Sequence, residues 1–243
     1  MSDDADSPGR LGLVVPSSNT TAEVEFSQYT PDGVSVHAAR MALESVTVDE
    51  LDAMSADATR AAELLGHADV DVVAYACTTG SLLHGPGFDA ELEETLSAAA
   101  GVPAVATARS VVRALETLEA ERIAVATPYT ADLDERERDF LEAAGFEVVA
   151  IDGRGIEANT EIGALEPDDA RDQATALAES VGSVDAVFVS CTNYRSLDAV
   201  DALESDLEVP VITSNSATLW DACCVSSIGS DGAGILFDHD SSD

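Results

Sequence analysis

Val70-Asp71-Val72-Val73-Ala74-Tyr75-Ala76-Cys77-Thr78 aligns position for position with Val184-Asp185-Ala186-Val187-Phe188-Val189-Ser190-Cys191-Thr192, at an offset of 114 residues. Upstream, Arg10-Leu11-Gly12-Leu13-Val14-Val15-Pro16 aligns with Arg122-Ile123-Ala124-Val125-Ala126-Thr127-Pro128, at an offset of 112. Two repeats in the same order, at nearly the same offset, indicate an internally duplicated chain. Each is a short apolar run of the kind that forms a buried strand. Each half is therefore expected to be the same α/β unit, with Cys77 and Cys191 at the carboxyl ends of equivalent strands, where open parallel sheets build their ligand sites. The two thiols then face one another across a cleft.

The remaining strands are read from apolar or β-branched runs at 11–15, 34–38, 103–106, 122–126, 146–150 and 210–213, beside 70–76 and 184–190. Helical spacing fills most intervals. Thr47 and Glu50 form a capping box ahead of Leu51, Met54, Ala58, Ala61, Leu64 and Leu65. Thr130 is read as the N-cap of a helix with Asp132 and Asp134 in its first turn, Leu133, Phe140 and Leu141 on one face, and Gly145 at its end. Alternating elements of this length predict an α/β fold of two pseudo-symmetric, doubly wound domains, each with a mainly parallel four-stranded sheet, and an active site in the interdomain cleft. The expected boundaries are 1–108 for the first domain and 109–214 for the second. The C-terminal helix, 215–243, is expected to cross back and complete the first. The connection 152–168 is the longest, and ordered loops of that length often form a wall of a site.

Composition bounds the function. The 243 residues, 46% apolar, suffice for one large domain or two of about 100–150 residues. The net charge is −36, and all 11 basic residues are arginine. Such a surface suits a cytoplasm of molar salt, where the Debye length is about 3 Å and self-repulsion is screened. A halophile's cytoplasmic protein is expected. Nucleic acid and anionic membranes are poor partners for it. No apolar run reaches the 18 residues of a membrane span, and Met1 to Asp6 has none of the features of a signal peptide. The four cysteines show no zinc-ligand spacing, so no metal is expected. Cys223 and Cys224 read as small residues packed in the last helix.

A cysteine between a strand and a helix faces unpaired helical amides, which favour a thiolate. Cys77-Thr78-Thr79-Gly80 and Cys191-Thr192-Asn193-Tyr194 both have this layout, and the same amides and hydroxyls can hold a carboxylate. The loops after the first strand of each half, Pro16-Ser17-Ser18-Asn19-Thr20-Thr21 and Thr127-Pro128-Tyr129-Thr130, converge on the same cleft. Simpler roles compete at several positions. Asn19 can cap a helix starting near Thr20, Tyr129 can pack with its hydroxyl in water, and Asn159 can serve a turn. Arg195 either acidifies Cys191 or is a solvated helix arginine, the commoner role. Among the histidines, only His84 lies near a cysteine loop.

Taken in order, Pro16-Ser17-Ser18-Asn19-Thr20-Thr21, Cys77-Thr78-Thr79-Gly80, Thr127-Pro128-Tyr129-Thr130, the Asn159 segment and Cys191-Thr192-Asn193 resemble the maleate cis-trans isomerase branch of the aspartate/glutamate racemase superfamily, over roughly residues 10–228. The resemblance implies two pseudo-symmetric domains flanking a small dicarboxylate, a homodimer or larger homo-oligomer, and no cofactor. It makes Cys77 the nucleophile and Cys191 the proton donor. Asn19, Tyr129 and Asn159 would hydrogen-bond the substrate carboxylates, and Thr78, Thr79, Thr192 and Asn193 would complete the binding. Ala22 stands where a larger apolar residue is typical, and Thr79 keeps a hydroxyl where serine is common. Three rivals use the same cleft: an amino-acid or hydantoin racemase with the thiols as an acid/base pair, an arylmalonate-type decarboxylase, and a non-catalytic dicarboxylate-binding protein. The decarboxylases resemble this chain but have a small residue in place of the first cysteine.

Overall fold

The computed structural model describes residues 9–226, 228 and 232–239. The acidic start at 1–7 and the end of the acidic tail at 240–243 lie outside the described residues. The first half runs β1 (Arg10–Pro16), α1 (Ala22–Tyr29), β2 (Ser35–Met41), α2 (Val48–Gly66), β3 (Val72–Tyr75), α3 (Thr78–Leu82), α4 (Phe88–Ala100) and β4 (Ala104–Ala106). Then follow α5 (Thr107–Thr117), β5 (Arg122–Thr127), α6 (Ala131–Ala143), β6 (Glu147–Gly153), α7 (Asn159–Ile162), α8 (Pro167–Ser180), β7 (Ala186–Val189), α9 (Val200–Leu207), β8 (Val211–Thr213) and α10 (Ser214–Ser226). All eight expected strands form, within a few residues of their expected bounds.

The duplication extends to topology and register. One sheet has the order β2-β1-β3-β4 and the other β6-β5-β7-β8, and every ladder is parallel. Leu11 pairs with Val72 as Ile123 pairs with Ala186, and Arg10 with Ser35 as Arg122 with Glu147, although the β5–β6 ladder then shifts by one residue between Ile123 and Ala124. The inner strands β3 and β7 are buried along their whole length, whereas β2 and β6, at the sheet edges, are mostly half-buried or exposed. That contrast is what strands covered on both faces and strands at a rim require. In each sheet the chain order reverses between the first strand and the third, so the loops after β1, β3, β5 and β7 lie at switch points.

One apolar cluster joins both halves and contains Met54, Tyr75, Cys77, Tyr129, Cys191 and Tyr194. Behind the sheets the covering helices are exchanged. Val111, Ala114 and Leu115 of α5 pack with Ile123, Val125 and Phe188 of the second sheet. From α10, Leu219, Ala222 and Cys223 pack with Leu11, Leu13, Val72 and Ala74 of the first. This helix ends at Ser226 and a 3-10 turn follows at Ile235–Asp238, so the C-terminal segment is not one helix to 243.

Two caps differ from expectation. Thr47 accepts the Glu50 amide at 3.4 Å, but the Glu50 carboxylate reaches past Thr47 to the amides of Glu44 and Ser45, at 3.0 and 2.7 Å. Thr130 makes no side-chain cap bond; α6 depends instead on its acidic first turn and buried face.

Candidate active site

The four switch-point loops bring the two cysteine segments together. Cys77 follows β3 in an extended conformation and is the N-cap residue of α3. Its sulfur faces the Gly80 amide and, at 4.0 Å, the Thr79 hydroxyl. No helix follows Cys191: a turn spans 192–194 and the next helical residues begin at Leu197. Cys191 instead holds φ +96°, a left-handed conformation that costs a residue with a Cβ about 1–3 kcal/mol. Its amide donates to Ser214 Oγ at 2.9 Å, and Ser214 Oγ in turn meets Thr78 Oγ1 at 2.7 Å, so one hydroxyl couples the two motifs. The Cys191 sulfur accepts from the Asn193 amide at 3.4 Å and from the Tyr129 hydroxyl.

Asparagines lace the halves to one another. Asn19 Oδ1 accepts the amides of Thr21 and Ala22 at 3.0 and 2.9 Å, capping α1, while its Nδ2 donates to Thr192 Oγ1 at 3.1 Å. The capping role and the place in the site are thus held together by one side chain. Thr192 Oγ1 donates on to the Ala76 carbonyl at 3.0 Å. Asn193 Oδ1 accepts the Thr20 amide at 2.9 Å, and its Nδ2 donates to the Asn159 carbonyl and Oδ1 at 2.6 and 3.1 Å. Asn159 Nδ2 donates to Ser18 Oγ at 2.8 Å. Asn159 opens α7, inside the long connection, and is buried.

All nine residues singled out from the sequence line one tight cavity of about 10 Å³, the room of roughly one water molecule, together with Pro16, Leu43 and Val46. Its roof is made by two loops that pair with each other: Val46 N donates to Glu157 O at 2.8 Å, Asn159 N to Glu44 O at 3.3 Å, and Ser45 bridges Ala158. A wider groove between β2 and α2, lined by His37, Arg40, Asp57 and Arg60, includes none of the strand-end loops.

The lining carries no acid, histidine or arginine. Burial therefore dominates the thiols, pushing Cys77 up to about 11 and Cys191 to about 12, with the Gly80 amide and the Tyr129 hydroxyl pulling the other way. Burial thus opposes the expected helix-end activation and favours the protonated thiol at both cysteines. Arg195 is on the surface, paired with Glu166 at 2.7 Å. His84 stands outside the cavity, 3.1 Å from Asp52 and edge-on to Phe88. Cys223 is buried against the first sheet, as a small core residue.

Sequence reading missed Ser214, Leu43 and Val46, which lie on segments without a repeat signal. It also passed over two buried acids near the site, Glu25 and Glu137. Glu137 is fully buried, accepts Ser190 Oγ at 2.6 Å, and leaves Oε2 without a partner. Burial pushes it up to about 8. A carboxyl whose folded pKa is raised stabilises most below its unfolded pKa, and that contribution is lost as pH rises through 8. Glu137→Gln should therefore raise the Tm at pH 9 by at least about 4 °C and leave it within about 1 °C at pH 5, measured by calorimetry.

Duplicated parallel sheets carrying a cysteine at the same strand end of each half define the class: the arylmalonate decarboxylase family model matches residues 11–237, and the chain belongs to that family. Among its relatives, the maleate isomerase of Pseudomonas putida is 33% identical over 224 residues, covering 87% of this chain and 89% of the relative. The crystal structure of a cysteine-to-alanine variant of the maleate isomerase from Pseudomonas putida S16 with maleate superposes with a TM-score of 0.88 at 29% identity, over 94% of this chain and 97% of that one. A Nocardia farcinica maleate cis-trans isomerase mutant with a covalently bound succinylcysteine intermediate gives 0.85 at 29% identity, over 94% and 98%.

Proposed function

We propose that this enzyme isomerises maleate to fumarate through a succinyl adduct on Cys77, with Cys191 as the acid. The observation that carries the proposal is that two cysteines border one cavity from equivalent strand ends. The cavity offers no basic side chain, so a carboxylate of the entering dianion is the base that takes the Cys77 proton. The thiolate attacks one olefinic carbon, the π electrons move toward the far carboxylate, and Cys191 delivers its proton to the other carbon. Rotation about the resulting single bond is free. Cys191 then recovers the proton, the C–S bond breaks, and the Cys77 sulfur leaves with its electron pair and takes back the proton that the substrate carboxylate held. Asn19, Tyr129, Asn159 and the Thr78, Thr79, Thr192 and Asn193 groups hold the carboxylates by hydrogen bonds, and Leu43 and Val46 keep water from the adduct.

The lining also favours this reading over a racemase. An amino-acid substrate brings an ammonium group, and no carboxylate lines the cavity to receive it. An arylmalonate decarboxylase needs only one of the two thiols. Proton NMR of the olefinic signal, with maleate, reductant and molar KCl, is expected to show fumarate accumulating. If folded protein yields none, the isomerase reading fails; α-proton exchange on aspartate, glutamate or a hydantoin then points to a racemase, and ligand-induced stabilisation without turnover to a binding protein.

The same reading takes residues 1–108 with the C-terminal helix as one domain, 109–214 as the other, and the cavity as their cleft; the packing of α10 on the first sheet supports it. It places the enzyme in the cytoplasm of a halophile as a homo-oligomer. Among the described residues no helix is long and apolar enough to cross a membrane. With a net charge of −36, the Tm should rise by at least about 10 °C between about 0.1 M and 3 M KCl in calorimetric scans.

A further inference from the structure

The duplication sets another pair of residues in register. Glu25 on α1 and Glu137 on α6 are separated by 112 positions, the offset that relates Pro16 to Pro128. Both carboxyls are buried, and neither lines the cavity. Symmetry would have one serve each cysteine, yet both hold the Cys191 segment. Glu137 accepts the hydroxyl of Ser190, the residue before Cys191, at 2.6 Å. Glu25 Oε1 accepts the amides of Ser196 and Leu197, at 3.0 and 3.2 Å. Its Oε2 accepts Asn215 Nδ2 at 2.6 Å, and that nitrogen also donates to the carbonyl of Thr192, the residue after Cys191. Cys77 is held differently: its carbonyl is bound by the Ser81 amide and hydroxyl within the first turn of α3. The segment without a helix, with its central residue at φ +96°, is the one gripped by two acids.

We infer that Glu25 and Glu137 are positioning residues for Cys191, fixing the chain on either side of it so that a left-handed backbone keeps the thiol aimed at the cavity. The two grips tolerate different replacements. Every partner of Glu25 is an N–H donor, so the position requires an acceptor on both oxygens, and glutamine would turn its own NH₂ against one of them. Glu137 has one hydroxyl partner and one unpartnered oxygen, so glutamine accepts from Ser190 and fits.

The kinetic half of the test rests on the isomerase reading; the labelling half does not. In the full chain carrying Cys77→Ala, iodoacetamide labelling of Cys191 is followed by peptide mass spectrometry. Glu25→Gln and Glu137→Ala are expected to speed it at least fivefold, and Glu137→Gln to leave it within twofold. In a Cys191→Ala background the same changes should leave Cys77 labelling within twofold. With both cysteines present, kcat on maleate should fall at least tenfold for Glu25→Gln and Glu137→Ala, with KM within threefold, and Glu137→Gln should recover kcat to within threefold. Unchanged Cys191 labelling in Glu25→Gln, or equal changes at both cysteines, overturns the inference. Should Glu25→Gln not fold, Asn215→Ala cuts the tie to Thr192 and must give the same selective rise. Lack of turnover by the parent chain sinks the isomerase reading alone and leaves the labelling to decide.

Discussion

Cys77→Ala is expected to reduce fumarate formation to background, a loss of at least roughly 10⁶-fold if the enzyme stands at the lower end of enzymatic rate enhancements. The reason is chemical. Without a sulfur at position 77 to add, the olefin keeps its double bond, because the other thiol bordering the cavity, Cys191, faces the second carbon as the acid. Cys191→Ser should behave differently, because Cys77 can still add while a poorer acid faces the second carbon. A fall of about 10²–10⁴-fold is expected, the range of a general acid's contribution. The two variants part most clearly by intact mass after incubation with maleate. Cys191→Ser should retain an adduct of one maleate on Cys77, and Cys77→Ala should retain none. An adduct found on Cys191 would reverse the assigned roles.

Gly80→Ala should cost roughly 10²-fold in kcat, as expected when a reacting group is displaced by about 1 Å, together with about 1–3 kcal/mol of stability from overpacking. Gly80 sits in α3, opposite the Cys77 sulfur. A methyl there would lie 2.7 Å from Tyr75 Oη, 2.9 Å from Met54 Cε and 3.0 Å from Cys77 Sγ. Met54 can swing its end aside. The Tyr75 ring is wholly buried and cannot, so the cysteine must turn away. Steady-state kinetics beside a thermal melt test this: an unchanged kcat would mean that the helix shifts as a body and the sulfur keeps its place. Tyr75 Oη has no partner and is fully buried, so the pocket behind Cys77 already holds one unmet polar atom and has little room for rearrangement.

Most of the architecture was legible because the duplication was. Once the two cysteine-bearing runs are aligned, strand order and even register repeat, since the same apolar pattern imposes the same pairing on both sheets. Eight of the nine site candidates were legible for the same reason: they lie in the loops that follow inner strands, whereas Asn159, in the long connection after the edge strand β6, was legible only through the family resemblance. The conformations of those loops were not. Cys191-Thr192-Asn193 reads like Cys77-Thr78-Thr79 but forms a turn, because Thr192 and Asn193 spend their side chains on Ala76, Asn159 and the Asn19–Thr20 loop of the other half. Those long-range partners have no local signature. The acidity of the thiols was misread for a related reason: an exposed helix end and a sealed cavity look alike in a string of letters, and only closure by Leu43 and Val46 decides between them.

The exchange of covering helices bears on how such a chain is made. The face of the first sheet formed by Leu11, Leu13, Val72 and Ala74 waits for Leu219, Ala222 and Cys223, roughly 145 to 210 residues later in synthesis. Ala22 and Phe26 of α1 cover part of that face, but the rest of it stays apolar and open while the whole second half is synthesised, so the first half cannot complete its core by vectorial folding alone. Native structure can be completed only after the last helix has been released. Repetition of a unit has here produced two halves that cannot mature separately.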